Sequence, residues 1–283
     1  MDRKKRLRAE KLVFGYDLLK PVIKGVTLDI AQGKVTAVIG ANGCGKSTLF
    51  QLFTGRFRPS EGNVFWDGEN VKAINRKEFA RHVAVVHQYN VAPDDMTVRK
   101  LVEMGRTPYQ TLFSYSQKAN DLKAVDWALE ETNTKQYENR MISQLSGGQK
   151  QRVWMAMALA QKPEVLLLDE ITTYLDVHYQ IELLSLIRRL NREQNLTVLM
   201  VLHDINQAME YADEIVVMKD GKIITSGDAK EVITEPILKQ TFDVEAEIIK
   251  IGSRKHCLFH EKGIKNVIAH KSAEREEQCL RKF

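Results

Sequence analysis

The sequence predicts an α/β fold: a mostly parallel sheet with helices on its faces, an N-terminal antiparallel β layer and an inserted helical subdomain. Three observations carry that prediction. An apolar strand over 34–39 runs into a glycine-rich loop and then a helix. From 165 to 218, short apolar strands alternate with longer helical segments, the pattern of parallel strands joined by crossover helices. Between these two regions, from about 96 to 140, strand signals disappear and Leu101, Ala119, Leu122, Val125 and Leu129 recur at roughly helical spacing.

Each element follows from local chemistry. Leu12–Phe14 and Val26–Ile30 read as strands of the N-terminal layer. A helix over 47–54 has Gly55 placed to stop it. Gly62–Trp66 followed by "DGEN" reads as a hairpin strand with an Asp67-Gly68 turn, and Val83–Val86 as a buried strand. After "LSGGQ", a helix over 150–161 ends before Pro163. Then come a strand over 165–168, a helix over 177–194, a strand over 197–202, a helix over 206–211 and a strand over 214–218. "KDGK" at 219–222 is a two-residue turn that closes the sheet antiparallel. Beyond about 250 the chain reads as charged and irregular. The expected organisation is a catalytic unit over 1–250, its helical insert spanning about 92–150, and a charged extension over 251–283.

Composition excludes several classes. With 283 residues, 43% hydrophobic and 28% charged, the chain is long and apolar enough for a globular core and is not a disordered sequence. A net charge of +5 suits anionic ligands or a membrane surface and is too weak to suggest nucleic acid, so none is expected as a partner. Three scattered cysteines, Cys44, Cys257 and Cys279, make no disulfide framework and fit a reducing compartment. No apolar run is long enough to cross a bilayer, and the basic N-terminus lacks the apolar stretch of a secretion signal.

The chemistry begins at "GANGCGKST", residues 40–48, in strand–loop–helix context. Gly40, Asn42, Gly43, Cys44 and Gly45 let backbone N–H groups wrap phosphates. Lys46 reaches the β- and γ-phosphates, the Ser47 hydroxyl is suited to Mg²⁺, and Thr48 completes the motif. This is a P-loop, which implies nucleotide binding and leaves the fate of the nucleotide open; the expected fold around it is the P-loop NTPase (RecA-like) sheet. "VLLLDE" brings Asp169 and Glu170 to the carboxyl end of a buried strand, Asp169 suited to the Mg²⁺ shell and Glu170 to accepting a proton from an attacking water. Gln88 and His203 follow two further apolar strands and are expected at the same edge, Gln88 within reach of Mg²⁺ or the water. Cys44, beside Lys46 and a helix N-terminus, is expected to have a lowered pKa and to react readily with maleimide. A second cradle, "QLSGGQKQR" at 144–152, places Ser146, Gly147, Gly148 and Gln149 at another helix N-terminus. One chain with two anion cradles and one set of acids makes sense as half of a symmetric dimer.

Gly40–Thr48, Gln88, Leu145–Gln149, Leu166–Glu170, Asp176 and His203 resemble, in order and spacing, the Walker A loop, Q-loop, signature, Walker B strand, D-loop and H-loop of ATP-binding cassette ATPases. The resemblance implies ATP and Mg²⁺ as cofactors and Tyr16 as the aromatic that stacks on adenine. It also implies a head-to-tail homodimer in which Ser146–Gln149 close over the nucleotide held by Lys46 of the other copy. A single cassette without membrane spans looks like a bacterial importer subunit. Such a subunit sits on the cytoplasmic face of the membrane and works with integral permeases and, indirectly, an extracytoplasmic binding protein. "MTVRKLVEMGRTPYQ", "TTYLD" and "LHDINQAMEYADEIVVMKDGKI" resemble the subfamily for ferric siderophores, haem and vitamin B12, with "GRTPYQ" and "TTYLD" inclining to siderophores. Two positions depart from the pattern: Ile171 and His87 stand where the family usually has proline. "KHCLFH" (His256, Cys257, His260) is a weak metal-site candidate whose spacing fits no zinc pattern well.

Overall fold

A computed structural model describes residues 5–17, 19–110, 115–173, 175–252 and 254–260. The chain begins with β1 (Lys5–Phe14), β2 (Ile23–Ala31) and β3 (Val35–Gly40), and after α1 (Lys46–Phe53) returns as β4 (Glu61–Trp66) and β5 (Glu69–Asn70). Helix α2 (Arg76–His82) leads into β6 (Val83–Val86), followed by α3 (Val98–Met104), α4 (Tyr115–Glu131) and α5 (Gly147–Ala160). The alternating half is β7 (Val165–Asp169), α6 (Val177–Gln194), β8 (Thr197–Val201), α7 (Ile205–Tyr211), β9 (Glu214–Lys219) and β10 (Lys222–Asp228). It is followed by α8 (Glu235–Phe242), β11 (Glu245–Ile251) and β12 (Arg254–His260).

Six strands in the order β10-β9-β3-β8-β7-β6 make the main sheet, parallel except for β10. Its central strands β3, β7 and β8 are buried throughout and apolar apart from Thr36, Thr197 and the terminal Asp169, because helices or the second sheet cover both faces. Alternate residues feed two cores. Val35, Ala37, Ile39, Leu166, Leu168, Val198 and Met200 pack with the residues of α3–α7. Val38, Val165, Leu167, Leu199 and Val201 pack with Phe50 and Phe53 of α1 and with the antiparallel sheet β2-β1-β4-β5. The turns are as the sequence demands: Asp67 and Gly68 (φ 48° and 87°), and Asp220 and Gly221 (φ 50° and 82°), are left-handed pairs that match strand twist. At the end of α5, Lys162 (φ 52°) turns the chain into Pro163.

Three elements differ from the sequence reading. Helices α2 and α8 are additional; Asn75 caps the first by accepting from Lys77 N, and Thr234, with proline in the first turn, caps the second. The larger difference is beyond residue 250. Instead of irregular chain, β11 and β12 form an antiparallel hairpin from Glu245↔His260 to Ile251↔Arg254, with Gly252 at φ 62° in the turn. Ala246 and Cys257 sit in the main core, and Asn206 of α7 clasps the backbone of Cys257. Asn206 Nδ2 donates to its carbonyl at 3.2 Å, and its N–H donates to Asn206 Oδ1 at 2.8 Å. Glu245, Glu247 and Arg254 lie on the face opposite Ala246 and Cys257, whereas Lys250 and Lys255 share the inner face near the hairpin's turn end. The rest of the 251–283 extension, with Cys279, lies outside the described residues. Among the described residues no helix is long and apolar enough to cross a membrane.

Candidate nucleotide site

Parallel register puts the site in a row. β3, β8, β7 and β6 all point the same way, so their carboxyl ends deliver Gly40, then Leu202–His203, then Asp169–Glu170, then His87–Gln88 to one edge of the sheet. That edge is where open α/β sheets place ligands.

At β3 the loop runs into α1 without a side-chain cap: Gly45 is the N-cap, left-handed at φ 105°, and no side chain bonds the first turn. Free N–H groups at that helix start are the physical basis of an anion site. Gly43 (φ 77°) faces open space, whereas a Cβ at Gly45 would lie 2.9 Å from Ile23 Cδ1. Lys46 is buried, and its ammonium donates to the Gly40 and Ala41 carbonyls at 2.9 and 3.2 Å, holding it under the loop's mouth. A cavity of about 320 Å³ is lined by Tyr16, Asn42, Gly43, Lys46, Ser47 and Thr48. Tyr16 is 70% exposed, yet its ring is fixed edge-on against Phe14 and Phe57, and its hydroxyl lies 3.3 Å from Thr48 Oγ1. It presents an exposed, braced ring at the rim of the phosphate loop.

Across from Lys46, the acids are handled differently. Asp169 is buried, and burial followed by the neighbouring Glu170 charge pushes its carboxyl up to about 6, against the opposing influences of the Ser47 hydroxyl, Lys46 and His203. Its Oδ1 has no hydrogen-bond partner among the described residues. A buried, unsatisfied carboxylate oxygen beside a serine hydroxyl and a phosphate loop fits Mg²⁺, which takes one or two protein oxygens and fills its shell with phosphate and water. Among the described residues no group of three or more His, Cys, Asp or Glu side chains is placed to hold a metal ion. Glu170 lies one residue on, at φ 51°, a left-handed conformation that costs a non-glycine residue about 1–3 kcal/mol. Its Oε2 accepts from Gln88 Nε2 at 2.7 Å and lies 2.9 Å from His203 Nε2. The three residues expected at the edge therefore meet on one oxygen. Ile171 is fully buried in the main core, so this departure from proline has a packing role. His87 lies edge-on to Phe50 with Nδ1 3.4 Å from Gln51 Nε2; burial, then nearby Arg56, lowers its pKa, so it is a neutral ring at neutral pH.

The Cys44 expectation is corrected. The thiol is buried in the core beneath the loop, and burial raises its pKa, outweighing the lowering by Lys46 and by backbone N–H groups. What Cys44 can offer a phosphate is its backbone N–H. The weak metal candidate also dissolves: strand alternation puts His256 and His260 on one face of β12 and Cys257, buried, on the other.

The second cradle stands apart. Ser146 is the N-cap of α5, accepting from Gln149 N at 3.4 Å while Gln149 Oε1 accepts from Ser146 N at 3.0 Å, a reciprocal capping box. Gly147 is exposed with nothing within 4 Å of a would-be Cβ; Gly148 is buried, and a Cβ there would lie 2.8 Å from the Tyr179 ring. Asp176, the D-loop residue, is exposed and caps α6, accepting from Tyr179 N at 3.0 Å. Sequence reasoning missed Gln180 and Gln207, whose amides bond behind the Glu170 loop across a 27-residue separation; nothing local marks either.

Fold and site together define a P-loop ATPase whose nucleotide edge carries a buried metal-type aspartate and a glutamate held by Gln88 and His203. The chain belongs to the ABC transporter family: the family model matches residues 23–173. It is 44% identical over 243 residues to the iron(3+)-hydroxamate import ATP-binding protein of Bacillus subtilis, covering 86% of this chain and 90% of the relative. It is 41% identical over 244 residues to the ferric enterobactin transport ATP-binding protein of Escherichia coli, covering 86% and 89%. Among solved structures it matches a chain of a transporter described as of the metal-chelate ABC type, in an inward-facing conformation. That match has a TM-score of 0.78 and 28% identity, covering 92% of this chain and 99% of the other. It is an ATP-binding, ATP-hydrolysing subunit of a transport system.

Proposed function

We propose that this chain is the ATP-hydrolysing subunit of a bacterial importer of ferric siderophores, acting as a head-to-tail homodimer under integral membrane permeases at the cytoplasmic face. The cargo reading rests on the relatives, which are named for ferric hydroxamate and ferric enterobactin. The hydrolytic reading rests on one observation: Gln88 and His203 converge on Glu170 Oε2 at 2.7 and 2.9 Å. The Gln88 amide, and an Nε2–H on His203, hold that oxygen in place, leaving Glu170 Oε1 to take the proton from a water attacking the γ-phosphate. Lys46 and the loop N–H groups hold the phosphates, and Tyr16 stacks on the base. Mg²⁺, held by Ser47 and Asp169 with Gln88 at its edge, would neutralise charge on the phosphate oxygens.

The partner copy completes the γ-phosphate side through Ser146, Gly147 and Gln149, with Gly148 setting the approach of α5 to α6. Asp176 lies between the two sites. An extracytoplasmic binding protein would deliver the cargo to the permease.

Glu170→Gln tests the core of this reading. It should bind Mg-ATP and accumulate as a closed dimer while turnover falls at least ~100-fold. Near-normal turnover in that variant would sink the assignment. The cargo is tested by co-purifying the permease and screening iron chelates, haem and cobalamin for stimulated ATPase; stimulation by haem or cobalamin alone would reject the siderophore reading.

A further inference from the structure

We propose that Gln180 and Gln207 are positioning residues for Glu170: their paired side-chain amides brace the backbone that follows the carboxylate and tie it to the helix that follows His203. This rests on the hydrolytic reading of Glu170.

The geometry is a short chain of hydrogen bonds. Gln180 Nε2, on the first turns of α6, donates to the Leu175 carbonyl at 2.9 Å and to the Thr172 carbonyl at 3.2 Å. Gln207 Nε2, on the first turn of α7, donates to Gln180 Oε1 at 2.6 Å. The orientation of both amides is dictated by their partners. Two carbonyls can only accept, so the Gln180 nitrogen must face them; its oxygen then faces Gln207, which must donate. On the other side, Thr173 N bonds the Glu170 carbonyl at 3.2 Å and Leu175 N bonds the Thr172 carbonyl at 3.3 Å, so the bracing passes through successive turns to Glu170 itself.

Two features make that bracing consequential. Glu170 is left-handed at φ 51°, a conformation that persists only where surrounding contacts over-determine it, and Ile171 places no ring constraint on the neighbouring backbone. In addition, Gln207 is four residues after His203, and α7 is capped by Asp204 accepting from Gln207 N at 3.0 Å. The direct His203–Glu170 contact at the front is thus paralleled by an amide–amide contact behind it. The two loops that carry the hydrolytic groups are joined twice, and the rear joint is made by side chains other than those assigned to nucleotide, metal or attacking water.

The test uses the purified chain with Gln180→Leu, Gln207→Leu, the double variant and Gln207→Glu, alongside Glu170→Gln, reading steady-state ATPase and melting temperature. Because a displacement of about 1 Å at a reacting group costs up to 10²-fold, each Leu variant should lose roughly tenfold in kcat, with the KM for ATP within about twofold of the parent. The double variant should be no slower than roughly twofold below the worse single, since both break the same brace. Gln207→Glu keeps shape and volume but cannot donate when ionised, so it should be as slow as Gln207→Leu at pH 8; it carries the test if the Leu variants fail to fold. Parental kcat in Gln207→Glu, multiplicative losses in the double variant, or a rise in KM without a fall in kcat would each overturn the proposal. If Glu170→Gln also keeps its turnover, the hydrolytic reading fails; if only the glutamine variants do, the brace alone fails.

Discussion

The two glycine-rich helix starts of this chain look alike in sequence and are opposite in structure. The first, Gly40–Thr48, is finished by its own chain: Lys46 is buried beneath it, Asp169 and Glu170 stand across from it, and Tyr16 rims it. Its helix start has no side-chain cap. The second, Ser146–Gln149, has its N–H groups partly served by a capping box, with Gly147 facing open space. A cradle that is completed locally binds by itself. One that is capped and exposed is, on the function proposed above, half of a site whose other half arrives on another molecule.

The sharpest way to break that comparison is to damage the two cradles on separate chains. Lys46→Ala and Ser146→Arg should each lose turnover at least ~100-fold. Mixed in equal amounts, half the dimers pair one of each and hold one intact composite site, so roughly a quarter of parental ATPase should return if one site suffices. No recovery despite heterodimers proven by native mass spectrometry would break the pairing.

The glycines sharpen it further. Gly148→Ala drives a methyl to 2.8 Å from the Tyr179 ring and should lower stability by about 1–3 kcal/mol, read as a fall in melting temperature. Gly147→Ala meets nothing within 4 Å and should change monomer stability by less than ~0.5 kcal/mol. If the pairing is right, Gly147→Ala should nonetheless weaken ATP-driven dimer formation in a Glu170→Gln background, seen by size exclusion. Dimerisation untouched by Gly147→Ala would mean that nothing approaches that surface.

The smallest effect concerns Cys44. Burial raises the thiol's pKa, so at pH 7 it is protonated and covered, and maleimide should leave ATPase essentially unchanged over minutes, with labelling appearing only on unfolding. Rapid inactivation with adduct mapped to Cys44 would show that the first cradle opens more readily than its packing implies.

Much of this was readable from residues alone, for identifiable reasons. Strands that end at a functional edge are uniformly apolar and then abruptly polar, so Val165–Asp169 with Glu170, and Thr197–Val201 with His203, announce both element and site. Depth and direction are not announced. Lys46 and a helix start predict an acidic Cys44 thiol only if the thiol faces them; it faces Gly40 and the core instead, and desolvation wins. The β11–β12 hairpin was hidden because its outer face carries the charge expected of a solvated tail, and its burial depends on α7 lying beneath it. Gln180 and Gln207 were invisible for the same reason: an amide pair is created by the crossing of two helices and leaves no spacing in the chain.

The row of groups at the sheet edge has a pitch, and that pitch belongs to the backbone. Neighbouring strands are held about 4.8 Å apart by main-chain hydrogen bonds whatever side chains fill the layers above and below. Val38↔Val201, Asp169↔Val201 and Val86↔Leu168 fix how far each strand advances before it releases Gly40, His203, Glu170 and Gln88. The sheet acts as a gauge block: softening either apolar layer lowers the temperature at which the block comes apart without re-spacing its marks. Core substitutions such as Leu167→Ala, on the face toward α1, should therefore leave turnover per folded molecule nearly intact while stability falls, and the two tolerances can be drifted, or engineered, separately.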